Sequence, residues 1–268
     1  MAWAQVRGID IHYQLAGRGP RVLYLGGTGG DLRARPSIFD SPLAQGFTLL
    51  AFDQRNLGQS GKPPEPCTMA DYAADAAELL AAVGWPSARV TGYSFGGMVA
   101  QELALAFPEK VERLALLSCA AGGAGGASYP LHELWELPLE ERARRLVELA
   151  DAGREPSWQA AHPEEMEAMV AEARAQMELA AAQDGGEAGV RRQLAARRGH
   201  DTWQRLPGLK LPVLVCGGLR DQVAPPRAVE ALAGRIPGAR LAWFQGGHQF
   251  FRQDPAAWPA ICGFLRED

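Results

Sequence analysis

The sequence predicts an α/β protein with a mostly parallel sheet. Short unbroken apolar runs recur along the chain, helix-forming stretches separate them, and 268 residues with 47% hydrophobic content suffice for one sizeable core. The runs are VLYL from Val22, TLLAF from Thr48, RVTGY from Arg89, LALL from Leu114, VLVC from Val213 and LAWF from Leu241. Unbroken runs suit strands covered on both faces. An N-terminal strand pattern holds His12. Between the second and third runs, Met69, Tyr72, Ala73, Ala76, Leu79, Leu80 and Val83 share one helical face. Thr68 and Asp71 can cap that helix, and Gly84 with Pro86 ends it. Ligands of such sheets bind at the C-terminal ends of the strands.

The alternation stops after LALL. From there to Gly199 the periodicity is helical, clearest over Leu139 to Ala150 and Pro163 to Gln183. The expected division is a core of residues 1–121 and 200–268, interrupted by a helical insertion at 122–199. Ala120 to Ala127 is almost all Gly and Ala, a flexible approach that would let the insertion act as a lid or merely link it. The basic run RRQLAARRGH reads as a solvated helix face.

Chemistry enters at ARVTGYSFGGMVAQELA. Ser94 sits where a strand end, Val90 to Tyr93, turns into a helix that is apolar nearly all round from Met98 to Phe107. Gly92 and Gly96 flank it as G-x-S-x-G, where side chains would block a sharp reversal and close packing of helix on sheet. Such a turn exposes the hydroxyl and aims the Phe95 amide at the helix N-terminus, where unpaired donors attract negative charge.

A serine nucleophile needs a base and a group that orients it. The loop after VLVC supplies Asp221 in GGLRDQVAPP, and the loop after LAWF supplies His248 in QGGHQFF. A parallel sheet brings such strand ends to one edge, in the chain order Ser94, Asp221, His248. His132, His162 and His200 lie in or beside the insertion, so none of them follows a core strand.

Composition excludes other classes. A net charge of -4 and the lack of nucleic-acid-binding signatures argue against nucleic acid. The first residues hold no signal-type apolar segment, and no apolar run approaches the roughly 18 residues of a membrane span, so a soluble cytoplasmic protein is expected. Cys67, Cys119, Cys216 and Cys262 are far apart, the five histidines are scattered, and no metal or cofactor is expected.

Gly92-Tyr93-Ser94-Phe95-Gly96, Asp221 and His248, with a helical insertion after the sixth strand, resemble the α/β-hydrolase superfamily across nearly the whole chain. The resemblance implies eight strands with the second antiparallel. DQRNLGQS, Asp53 to Ser60, resembles the family's D-x-R-G-x-G-x-S turn with Asn56 for one glycine, a residue that tolerates a left-handed backbone. Asp53 and Arg55 are therefore expected to be structural. In YLGGTGGDLR, Gly26 stands where many relatives carry histidine. The resemblance assigns this loop a second oxyanion amide, from Thr28 or from Gly27, beside that of Phe95.

The activity so implied is cleavage of a carboxylic ester or lactone of a small apolar molecule through an acyl-enzyme on Ser94. Gly27, Tyr93, Trp135, Trp158, Met166, Met169, Phe250 and Phe251 are candidates for the substrate pocket. The same three residues also serve acyltransferases, carbon-carbon bond hydrolases, cofactor-free haloperoxidases and prolyl aminopeptidases. A ligand receptor without turnover is the alternative outside enzymes. The oligomeric state is left open.

Overall fold

The computed structural model describes residues 2–267, so Met1 and Asp268, the ends of the expected core, lie outside the described residues. Eight strands form one sheet: β1 (Ala2–Val6), β2 (Ile9–Ala16), β3 (Arg21–Leu25), β4 (Thr48–Phe52), β5 (Ala88–Tyr93), β6 (Val111–Leu117), β7 (Val213–Gly218) and β8 (Arg240–Phe244). Their order is β1-β2-β4-β3-β5-β6-β7-β8. β2 runs antiparallel to both neighbours and every later pairing is parallel, as expected. The six apolar runs are the six strands β3 to β8.

Helices cover both faces. In chain order they are α1 (Pro42–Gly46), α2 (Met69–Ala82), α3 (Phe95–Ala106), α4 (Leu139–Ala150), α5 (Pro156–Ala161), α6 (Pro163–Ala181), α7 (Gly186–Arg198), α8 (Pro226–Arg235), α9 (Phe250–Gln253) and α10 (Ala257–Arg266). Alternate strand residues feed two cores: Leu23, Leu25 and Val90 join α2, α3 and α8, whereas Val22, Leu49 and Leu117 join α1 and α10. α2 starts at the Thr68–Asp71 capping box.

Between β6 and β7 the chain forms α4 to α7 and no strand. Ala143 and Val147 of α4 bury Met166 and Val170 of α6. The Gly/Ala approach is not a free tether. Gly122 bridges Asp201, Thr202 N donates to Ala121 O at 2.9 Å, and a side chain at Gly123 would meet the Asp201 carboxylate. The segments that enter and leave this helical region are thus joined to each other. The basic run of α7 is not uniformly solvated either, because Gln193, Arg197 and His200 are buried.

DQRNLGQS folds as a turn with Asn56 at φ +72° and Gly58 at φ +50°. Asp53 accepts from the amides of Leu32 and Gln59, while Arg55 makes two hydrogen bonds to Asp75. Both residues are structural here, as expected. A side chain at Gly189 would strike Asn56 O, so α7 rests directly on this turn.

Candidate active site

Ser94 joins β5 to α3 with φ +53° and ψ -115°, a region that costs about 1–3 kcal/mol for a residue with a side chain. The surrounding glycines permit it. A Cβ at Gly92 would collide with Gly96 O, and one at Gly96 with Leu25 O. The Ser94 amide donates to Leu117 O at 2.8 Å, and Ser94 O accepts from the Gly97 and Met98 amides, which fixes the start of α3.

Three side chains form a line. Ser94 Oγ lies 2.8 Å from His248 Nε2, and His248 Nδ1 lies 2.8 Å from Asp221 Oδ2. Asp221 is 2% exposed, Ser94 5% and His248 8%, so bulk water does not compete with these bonds. Asp221 Oδ1 accepts from the amides of Val223 and Ala224 at 2.8 and 2.9 Å, leaving Oδ2 for the ring. An ionised carboxylate only accepts, so Nδ1 carries hydrogen and Nε2 accepts from the serine hydroxyl.

The histidine loop is anchored from two sides. Ser118 Oγ donates to His248 O at 2.8 Å, and the His248 amide donates to Ala150 O, the end of α4, at 2.6 Å. The acid loop is tied to the same stretch: Gln222 N donates to Leu149 O and Ala152 N to Arg220 O. α4 therefore holds both loops, a connection with no local sequence signal.

The loop after β3 passes over Ser94. A Cβ at Gly27 would come 3.6 Å from the Ser94 Cβ. Gly30 N donates to Gly27 O at 3.2 Å and Gly29 has φ +70°, a type II geometry with Thr28 at the first central position. Three distant groups hold this loop: Gln54 Nε2 on Gly26 O, Asp53 Oδ1 on the Leu32 amide, and Gln193 Oε1 on the Gly29 amide. Sequence reasoning missed Gln54 and Gln193; only the neighbouring DQR motif hinted at the former. The Phe95 and Thr28 amides have no protein acceptor among the described residues.

Ser94 and His248 open into a cavity of about 860 Å³. Gly27, Thr28, Tyr93, Trp135, Met169 and Phe251 line it, joined by Leu131, Leu134, Met177 and Trp258. Thr28 Oγ1, Gln54 Oε1, Trp135 Nε1 and Arg142 Nε are buried there without partners. Arg142 lies over the Trp135 ring, 4.1 Å from its centroid, and burial lowers its pKa.

Three candidates lie elsewhere. Phe250 is fully buried and stacks on Phe244, because α9 turns it into the sheet core while Phe251 faces the cavity. Met166 is 2% exposed and packs with Ala143 and Val147 of α4, whereas Met169, which packs against the same cluster, is only partly buried and reaches the cavity. Trp158 stacks on His162, four residues on, at 4.6 Å. Of the other histidines, His12 pairs with Asp53 and His200 Nε2 with Ala120 O. All four cysteines are buried and free, and burial pushes the Cys119 thiol up to about 12. Among the described residues no group of three or more His, Cys, Asp or Glu could hold a metal, and no helix is long and apolar enough to cross a membrane.

Comparison with known proteins agrees with this architecture. A protein of Azorhizobium caulinodans provisionally named carbamate hydrolase RutD is 28% identical over 100% of this chain and 99% of its own. The poly(3-hydroxyalkanoate) depolymerase of Ectopseudomonas oleovorans is 26% identical over 92% of this chain and 84% of its own. In fold, the chain is similar to the enol-lactonase from Burkholderia xenovorans LB400, with a TM-score of 0.79, 24% identity, and coverage of 99% of this chain and 100% of that one. The family description "alpha/beta hydrolase fold" matches residues 20–255, and the chain belongs to that family.

Proposed function

We propose that the protein is a serine hydrolase that cleaves a carboxylic ester or lactone of a small apolar molecule. The observation that carries this reading is the buried line from Asp221 through His248 to a strained Ser94 at the wall of the large cavity.

In the first half-reaction, Ser94 Oγ attacks the carbonyl carbon and its proton passes to His248 Nε2. Asp221 stabilises the imidazolium and fixes its tautomer. Negative charge on the carbonyl oxygen meets the Phe95 amide at the start of α3 and a second amide from the loop, which we assign to Thr28. Collapse breaks the bond to the leaving oxygen, which takes the proton from Nε2. Water then gives its proton to His248 Nε2 and attacks the acyl carbon; the bond to Ser94 Oγ breaks, Oγ takes the proton back from Nε2, and the acid leaves.

The aromatic and aliphatic wall supports an apolar substrate, and residues 122–199 act as the cap that supplies much of it. The relatives' names support acyl chemistry of this kind and include both a polyester and a carbamate. Four buried free thiols suit a reducing cytoplasmic compartment. A fluorophosphonate should label Ser94 and leave Ser94→Ala unlabelled. An adduct on another serine in the mass spectrum would overturn the assignment. Turnover of esters and lactones, set beside carbamates and aminoacyl arylamides, then tests the substrate class.

A further inference from the structure

The end of α7 buries a positive charge that the Ser94 site does not use. Arg197 is 6% exposed and His200 7%. Both line a second cavity, of about 160 Å³, between the segment entering the helical region (Ala120, Gly122, Ser128) and the segment leaving it. The exposed Arg198 lines it as well.

Its polar lining is incompletely paired. Arg197 Nη2 donates to Ser128 Oγ at 2.7 Å, Nε is buried without a partner, and among the described residues no carboxylate contacts the guanidinium. Burial lowers its pKa only to about 10, so the group remains a cation at neutral pH. Desolvating a cation without a counter-ion is costly. The nearby carboxylates are engaged: Glu102 accepts two bonds from Arg205, and Asp201 Oδ1 accepts from the Trp203 amide. His200 Nε2 lies 3.2 Å from Ala120 O, which only accepts, so Nε2 carries the hydrogen. His200 Nδ1 is then an acceptor, and it is buried without a donor. Burial holds the ring neutral by pulling its pKa down to about 4.

An unpaired cation beside an unpaired acceptor defines a ligand with both an anionic oxygen and a hydroxyl. We propose that this cavity binds a small oxyanion that keeps one proton, bicarbonate or monohydrogen phosphate. Its charged oxygens accept from the Arg197 guanidinium and its hydroxyl donates to His200 Nδ1. The volume suits a small polyatomic ion, since a single water needs only about 10–15 Å³.

Calorimetry and thermal unfolding of the full chain at fixed ionic strength, in sodium chloride, sulfate, bicarbonate and phosphate, test this. The expected result is one site per chain for bicarbonate or phosphate with a millimolar or tighter Kd, and a Tm that rises and saturates. The tighter of the two identifies the ion. Sulfate has the charge but no proton at neutral pH and should bind roughly tenfold more weakly, for want of the hydrogen bond to Nδ1. Arg197→Met should abolish the response while holding or raising the Tm in chloride, because it removes an unpaired buried charge. If Arg197→Met does not fold, Arg197→Lys, which keeps the charge but loses the fork, should weaken binding about tenfold. No saturable response to either ion, equal binding of sulfate, or an undiminished response in the folded Arg197 variant overturns the proposal.

Discussion

Two buried histidine–aspartate pairs lie in this molecule with the same geometry. His12 Nδ1 is 2.8 Å from Asp53 Oδ2, and His248 Nδ1 is 2.8 Å from Asp221 Oδ2. Each aspartate also accepts two backbone amides: Leu32 and Gln59 at Asp53, Val223 and Ala224 at Asp221. The difference lies in what else the ring meets. His248 Nε2 faces the hydroxyl of a serine in a strained turn, whereas the Gln59 side-chain nitrogen lies against the His12 ring, 2.9 Å from Nε2 and 3.2 Å from Nδ1. A histidine held by a carboxylate is thus no signature of catalysis. What the second nitrogen faces, and whether that group opens on a cavity, separates the proposed base from a brace.

The brace still serves the site indirectly. Asp53 Oδ1 holds the Leu32 amide, one end of the loop whose other end passes over Ser94. This gives the comparison its sharpest test. If His248 is the base we propose, His248→Gln should lower kcat by about 10⁶, while His12→Gln should leave kcat within roughly tenfold. Both variants need a circular dichroism check. A loss of the first size at His12 would break the distinction.

The next effect concerns the carboxylate that holds His248. Asp221→Asn should reduce kcat by roughly 10⁴ with the fold intact, since the ring then loses its tautomer and its counter-charge. A loss below about tenfold would move the acid role away from Asp221. Thr28→Pro comes third, at roughly 10² to 10³ in kcat, because it deletes the amide to which we assign the second oxyanion bond. The turn around it accepts proline: Thr28 precedes Gly29 at φ +70°, and the first central position of a type II turn favours Pro. Thr28→Ala should cost less than about tenfold. If a folded Thr28→Pro variant is fully active, the second amide is that of Gly27.

Local patterns carried most of this design into the sequence. Ser94 between its glycines, Asp221 and His248 after their strands, and Asn56 in its left-handed turn each depend on a few neighbouring residues, so they are legible one stretch at a time. Pocket walls are not. Phe250 and Phe251 are adjacent and chemically alike, yet one stacks in the sheet core and the other faces the cavity. Met166 and Met169 share an amphipathic helix and one cluster with α4, but which of them also reaches the cavity depends on how α4 and α6 cross. Gln54 and Gln193 act on a loop far away in the chain, and Arg197 looks like its solvated neighbours until the end of α7 meets the segment after β6, where Ser128 accepts from it. Such roles follow from tertiary contacts, which residue type and spacing do not encode.

The smallest effect is on stability, and it tests the bond between His12 and Asp53 by its pH dependence. Burial, the dominant influence, raises the Asp53 carboxyl above its ordinary range, while the His12 bond and the Leu32 and Gln59 amides oppose the shift. His12→Ala removes one opposing donor, so the folded-state pKa rises further and the unfolded value stays put. The folded variant therefore binds more protons than the folded wild type at pH values between the two folded pKa values. Its stability deficit should be full above that window, about 1–3 kcal/mol for a buried carboxylate missing a partner, and should shrink as pH falls and Asp53 becomes neutral. Urea unfolding of both proteins from mildly acidic to neutral pH measures the difference. A deficit that is constant across this range, or one that grows as pH falls, would mean that lost packing of the His12 ring, which lies 5.0 Å from the Trp3 ring, outweighs its bond to Asp53.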